Sequence, residues 1–270
     1  MKLAALQPVE CDPVWPNVGV EVWYANQLLE PLHQMLDDIL TPLRLAFATG
    51  DNPLARDEPI DKMLKRSLDA WSNKWVRKWD GMSTGIADKF ARRAWTATDN
   101  GVRASFNRAG FTLKFKPTKP MLMAYNVRVQ ANVDLIRTIP QQFLKDVSQQ
   151  VWDAVTTGSD MNALTRNLEK SYSIATRRAA FIARDQNNKA KASFEDTRRM
   201  ELGITHARWV HSTAGKEPRP THVKAGREGV IYDLRTGWLD PADGKYKRPG
   251  EDINCRCSSK AIIPGLSREQ

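Results

Sequence analysis

Apolar residues recur at helical spacing along most of this chain and stop doing so at Gly203. That change of texture constrains the fold most, because a period of three to four residues suits one helix face and no strand. From Val20 to Phe47 the period is kept by Leu28, Leu32, Met35, Leu36, Ile39 and Leu43. Pro31 and Pro42 are expected to start, kink or interrupt this helix, since each lacks a donor. Asp51-Asn52-Pro53 signals a turn. A second helix is predicted from Pro59 to Trp79, with Met63, Leu64, Leu68, Trp71 and Trp75 along one side. A third runs from Ser83 to about Arg108 and stops at Gly110. Trp71, Trp75, Trp79 and Trp95 read as core anchors before they read as a binding surface.

Phe111–Pro117 alternates apolar and polar residues, as a short strand or extended connector does, and marks a boundary. Helices are then expected near Met121–Arg137 and from Pro140, where proline suits a first turn. The latter puts Phe143, Val147, Val151, Ala154 and Val155 on one face and ends at Gly158. Asp160 is a fair N-cap for a short helix carrying Met161, Leu164 and Leu168. Ser173 can cap a long helix, Ile174–Leu202. After Gly203, strands are predicted at Ala207–His211, Val230–Leu234 and Cys255–Ile263, with a helical turn at Pro220–Ala225. Turns fall at Asp240-Pro241-Ala242-Asp243-Gly244 and Arg248-Pro249-Gly250. The fold class is α+β. Mainly helical N-terminal (1–110) and middle (111–203) regions precede a small C-terminal antiparallel β module (204–270) packed on a long helix.

Charge is spread unevenly. Residues 1–110 carry 14 Lys+Arg and 14 Asp+Glu, so the whole net charge of +10 lies in residues 111–270. Such asymmetry points either to a polyanionic partner or to a solvated basic face. On the long helix, Arg177, Arg184, Lys191 and Arg198 are seven apart and stay roughly on one side. Arg177, Lys191 and Arg198 are candidate nucleic-acid contacts along DNA phosphates, and a solvated face with Asp185, Glu195 and Asp196 as local partners explains the stripe as well. No run of about 18 apolar residues is present, so no membrane partner is expected.

The tail holds the densest set of chemically able residues: Trp209, His211, Arg219, His222 and Asn254-Cys255-Arg256-Cys257. The two cysteines, one residue apart, are poorly placed to bond to each other, and in a strand their side chains would point to opposite faces. Cys255, Cys257, His211 and His222 include the right atoms for zinc. Structural sites, however, usually space each ligand pair by two to four residues, so no metal and no cofactor is expected. Arg219 and His222, with Arg256 and His211, could instead form a metal-independent nuclease or toxin-like centre, a His base beside an Arg that steadies a phosphorane. The plainer reading is a structural lock of Trp209, Arg219, His222, Asn254, Cys255, Arg256 and Cys257. In it Arg219 and His222 hydrogen-bond a buried Asn254 turn.

The order Trp209, Arg219-x-x-His222, Gly226, Pro249-Gly250 and Asn254-Cys255-Arg256-Cys257 resembles the Mu F-like head morphogenesis family of tailed bacteriophages. The resemblance extends upstream through Asn132-x-x-Leu135-Ile136-Arg137, Gly158-x-Asp160 and Arg178-Ala179-x-x-Ile182-Ala183-Arg184-Asp185-Gln186, over roughly residues 120–262. It implies a non-enzymatic minor capsid protein, low in copy inside the head near the portal. Portal protein, major capsid protein or scaffold, and packaged double-stranded DNA are the implied partners, with no small-molecule substrate. The implied location is the virion interior, and the host cytoplasm during assembly. It also implies that Arg178, Ile182, Arg184, Asp185 and Gln186 fix the long helix against the terminal module. A non-specific nucleic-acid-binding protein without virion assembly is a further alternative.

Overall fold

The computed structural model describes residues 8–48, 60–157, 161–215 and 217–264. In chain order these form β1 (Val9–Glu10), α1 (Val18–Ala48), α2 (Ile60–Arg108), α3 (Lys119–Thr157) and α4 (Met161–Glu201). There follow β2 (His206–Val210), α5 (Pro220–Glu228), β3 (Ile231–Asp233), β4 (Trp238–Asp240), β5 (Lys245–Lys247) and β6 (Ser258–Ile263). The α+β class holds.

The helices are fewer and longer than the sequence predicts. α2 is one helix where two were expected, because Ser83 does not cap. Its buried hydroxyl donates back to the Trp79 carbonyl within the same helix. α1 runs through positions 31 and 42. α3 runs through Pro140, although that proline leaves the Ile136 carbonyl without its usual donor. Ile136, Ile139, Phe143, Leu144 and Val147 are all buried around it, and that burial outweighs one lost hydrogen bond. α4 absorbs both the short helix and Ile174–Leu202, so Ser173 lies inside it. The turn at 51–53, Pro59, Gly158 and Asp160 lie outside the described residues. So do the side chains of Met63, Leu64, Val155 and Met161.

The chain forms two compact units that interleave in sequence and cut across the three predicted regions. One comprises Met1–Glu21, Lys89–Arg128 and Arg184–Gln270; the other comprises Val22–Asp88 and Val129–Ala183. The second unit is helical. Its core holds Tyr24, Leu28, Leu32, Met35, Trp75 and Trp79, with Trp71, Ile136 and Phe143 also buried. Two buried polar tips find partners there: Trp75 Nε1 donates to Asp38 Oδ2 at 3.0 Å, and Tyr24 Oη donates to Asn132 Oδ1 at 2.9 Å. Three of the four tryptophans are thus core anchors. Trp95 is half-buried in the first unit, where its Nε1 donates to Asp99 at 2.9 Å.

The first unit carries a four-stranded antiparallel sheet in the order β1-β6-β2-β3. The central pairing sets Ala207 opposite Ala261 and Trp209 opposite Ser259. β1 closes the far edge, with Val9 opposite Ile263. Nothing in the sequence pattern marked this strand. The Asp240–Gly244 turn belongs to a second hairpin, β4–β5, which was likewise unforeseen. The core joins Cys11, Val14, Val102 and Phe106 to Trp209, Tyr232, Cys255 and Cys257. Phe111, Leu113 and Phe115 pack against it from an extended connector with no strand pairing. α2 and α4 stop at Gly110 and Gly203, both left-handed (φ 91° and 76°). There Phe111 and Ile204 donate back to the Phe106 and Arg199 carbonyls at 2.9 and 3.0 Å.

Candidate functional site

The first unit gathers Trp209, Cys255 and Cys257 of the tail's singled-out residues around one histidine. α5 starts with Pro220 at its first turn, which fixes the backbone angle and wastes no donor. Two residues on, His222 points inward and is only 2% exposed. Trp209 of β2 meets the imidazole edge-on at 4.9 Å and touches Trp238 and Tyr232 in the same way. β6 begins at Ser258, three residues later than predicted, and residues 255–257 are irregular. The opposite-face rule for strands therefore does not apply to them. Both thiols lie on one side, with His222 Nδ1 3.6 Å from Cys255 Sγ and 4.0 Å from Cys257 Sγ. The Gly250 N–H donates to Cys255 Sγ at 3.4 Å. All three cysteines are free thiols.

The other face of the ring meets carboxylates. His222 Nε2 lies 3.5 Å from Asp252 Oδ2 and 3.7 Å from Asp240 Oδ2. Lys247 Nζ sits among Asp240 (3.0 Å), Asp243 (2.9 Å) and Asp252 (3.3 Å). Burial alone would raise the Asp240 pKa, but the Ala242 N–H, Lys247 and Thr221 outweigh it and hold the carboxyl below its usual range. Burial likewise opposes the charge on Lys247, and its three carboxylate partners push its pKa up. The thiol pair is coupled. A hydrogen bond from Cys257, helped by His222, draws the Cys255 pKa down against the effect of burial. Cys257 is pushed up by that same hydrogen bond and by burial, so it keeps its proton. Among the described residues, two groups of side chains could hold a metal ion: His222 with Cys255 and Cys257, and His222 with Asp240 and Asp252.

The rest of the expected lock is arranged differently from the sequence reading. Asn254 is exposed rather than buried, and it is left-handed at φ 58°. Its backbone N–H donates to Asp185 Oδ1 at 2.6 Å, and its side-chain oxygen accepts from Arg184 Nε at 3.3 Å. Arg219, also exposed, reaches the preceding carbonyl, Ile253 O, at 3.0 Å. Arg256 holds the Ala214 carbonyl at 2.6 Å. His222 bonds neither Asn254 nor its neighbours' backbone; it faces the thiols. His211 joins neither metal-capable group, and its Cβ packs so closely on Gly226 that an added Cβ there would lie 2.4 Å away.

The basic stripe on α4 also needs correction. Lys191 and Arg198 are 3% and 2% exposed, so neither can lie along phosphates. Lys191 pairs with Glu195 at 3.0 Å and donates to Ser258 at 3.1 Å. Arg198 grips Asp99 with two bonds of 2.8 Å and lies over the Phe115 ring at 4.6 Å. Arg199, on the same helix but outside the seven-residue stripe, pairs with Glu195 and binds Ser259 through its hydroxyl and carbonyl. The seven-residue spacing was real, but Lys191 faces the terminal module while Arg198 faces α2 and the extended connector. Arg177 alone of the three is exposed. Arg184 and Asp185 tie α4 to the module as the resemblance implied. Arg178 instead donates to Thr138 at 3.2 Å, and Ile182 is buried, both in the helical unit.

Three comparisons bear on this geometry. An uncharacterized protein of Haemophilus influenzae is 26% identical over 256 residues, 93% of this chain. The chain spans only 55% of that relative's length. No solved structure matches. Residues 145–260, which hold the end of α3, all of α4 and the module through the first half of β6, match the family described as phage Mu protein F like protein. Over that segment the chain is similar to phage Mu F-like proteins, the family that its tail motifs resemble.

Proposed function

We propose that the chain is a structural minor head protein of a tailed phage, built into the procapsid in low copy near the portal. The observation that carries this reading is the family match over α4 and the terminal module. Portal protein and the coat or scaffold protein are its partners in this reading, and packaged DNA is a non-specific one. The buried position of His222, wedged between thiols and carboxylates, supports an internal role over a nuclease base that must reach substrate. Arg219, spent on Ile253 O and Asp252, supports the same choice.

Deleting the gene should leave shells that form but package or survive poorly, because a low-copy internal protein organises and does not enclose. Mass spectrometry of purified heads should find the chain. Its absence from both procapsids and virions would refute the proposal. So would a purified wild-type chain that cleaves RNA or DNA and loses cleavage, but not stability, in His222→Ala.

A further inference from the structure

We infer that His222, Cys255 and Cys257 form a zinc site, with Nδ1 and the two sulfurs as ligands. The three side chains come from two separate segments, α5 and the 255–257 loop, and all are at least 95% buried. Zinc bonds of about 2.3 Å to sulfur and about 2.0 Å to nitrogen put a tetrahedral nitrogen–sulfur pair about 3.5 Å apart and a sulfur–sulfur pair about 3.8 Å apart. The observed Nδ1–Sγ separations are 3.6 and 4.0 Å, so the first meets that requirement and a shift of about 0.5 Å in Cys257 Sγ brings in the second.

The surroundings are those a metal site needs. A bound imidazole must keep its proton on the nitrogen away from the metal, and a carboxylate there fixes ring and tautomer. Here Nε2 faces Asp252 and Asp240, and it is buried with no closer hydrogen-bond partner. A thiolate needs donors as well as metal, and the Gly250 N–H supplies one to Cys255. Two thiolates balance a divalent cation, while Lys247 balances the outer carboxylates. No fourth His, Cys, Asp or Glu joins the three among the described residues, so water takes the remaining position. The poor Cys-x-Cys spacing is overcome by the left-handed Asn254 just upstream and the irregular backbone of 255–257, which turn both sulfurs to one side.

A catalytic cysteine triad uses the same residue types, but it needs one thiol on the base and an open approach. Two thiols converge on Nδ1 here, and both are buried. A soft divalent cation explains both facts.

The full chain, purified without chelator, should carry about one zinc per molecule by elemental analysis. Cobalt(II) exchanged into it should give thiolate-to-metal charge-transfer absorption. Cys255→Ser and Cys257→Ser should each abolish that absorption, while Cys11→Ser, in the same core but outside the cluster, should keep it. Should the cluster variants fail to fold, the wild-type chain still decides. Zinc should slow alkylation of two of its three thiols, and peptide mapping should find them at 255 and 257. A folded chain that binds neither ion, or that carries a Cys255–Cys257 disulfide, overturns the site. Cobalt absorption that survives His222→Gln also overturns it. These readouts stand apart from head incorporation, so either proposal can fail alone.

Discussion

At the residue scale, Asn254 shows how a motif can be legible while its mechanics are not. The Asn-Cys-Arg-Cys order marked the tail as special, and the sequence reading buried Asn254 beneath Arg219 and His222. The residue is instead needed for its backbone: a left-handed turn whose N–H reaches Asp185, 69 residues away in sequence. Side-chain pattern carries almost no signal for a backbone angle, and none for a partner on another element. Asn254→Ala should therefore cost up to about 1 kcal/mol in urea unfolding, because both residues carry a Cβ but the short polar side chain of Asn tolerates the left-handed angle better. Asn254→Gly should cost little, since glycine adopts that angle freely and only the exposed Arg184 contact is lost. Equal losses in the two variants would show that the side chain and not the turn matters.

At the scale of elements, the sequence marked where helices lie better than where they break. Pro140 and Ser83 were read from local chemistry, but buried apolar neighbours decide both positions. The same effect hid the character of α4. Polar residues at helical spacing read as a solvated face, yet Asp185, Asn187, Asn188, Lys191, Glu195, Asp196, Arg198 and Arg199 are buried. Burial raises the Asp196 pKa from 3.8 to about 7, with Arg199 opposing and Glu195 adding to the rise. The folded chain then holds a proton that the unfolded chain releases near pH 4. Between about pH 4 and pH 7 the unfolded state binds fewer protons, so this residue's contribution to stability falls as pH rises. The full loss is on the order of a few kcal/mol, at about 1.4 kcal/mol for each tenfold difference in proton affinity between the folded and unfolded chain. Asp196→Asn removes the titration. In urea unfolding at pH 5 and pH 8, the variant should gain on the wild type at the higher pH. A difference that stays constant between the two would mean Asp196 is ionised in the folded chain throughout.

At the scale of the molecule, helix content and the position of the terminal module were readable, whereas the grouping of segments was not. Each unit is assembled from stretches far apart in sequence, and β1 pairs two residues near the start with β6 near the end. Two paired residues leave no periodic trace, and long-range packing leaves none either. The charge excess of residues 111–270 survives this rearrangement only in part, because its most regular stripe is spent inside. Arg177 and Arg198 therefore separate two meanings of a basic residue. Arg198→Ala leaves Asp99 buried without its partner and should cost about 3–5 kcal/mol of stability. Arg177→Glu, on an exposed face, should leave the melting temperature unchanged within a degree or so. If residues 111–270 face a packaged genome, the folded chain should bind duplex DNA without sequence preference. Its log affinity should fall against log salt by about 0.9 for each phosphate neutralised. Arg177→Glu should flatten that slope by about one phosphate while the fold stays intact. No binding at low ionic strength, or an affinity indifferent to salt, would leave the basic excess as a solvated face and remove DNA from the protein's partners.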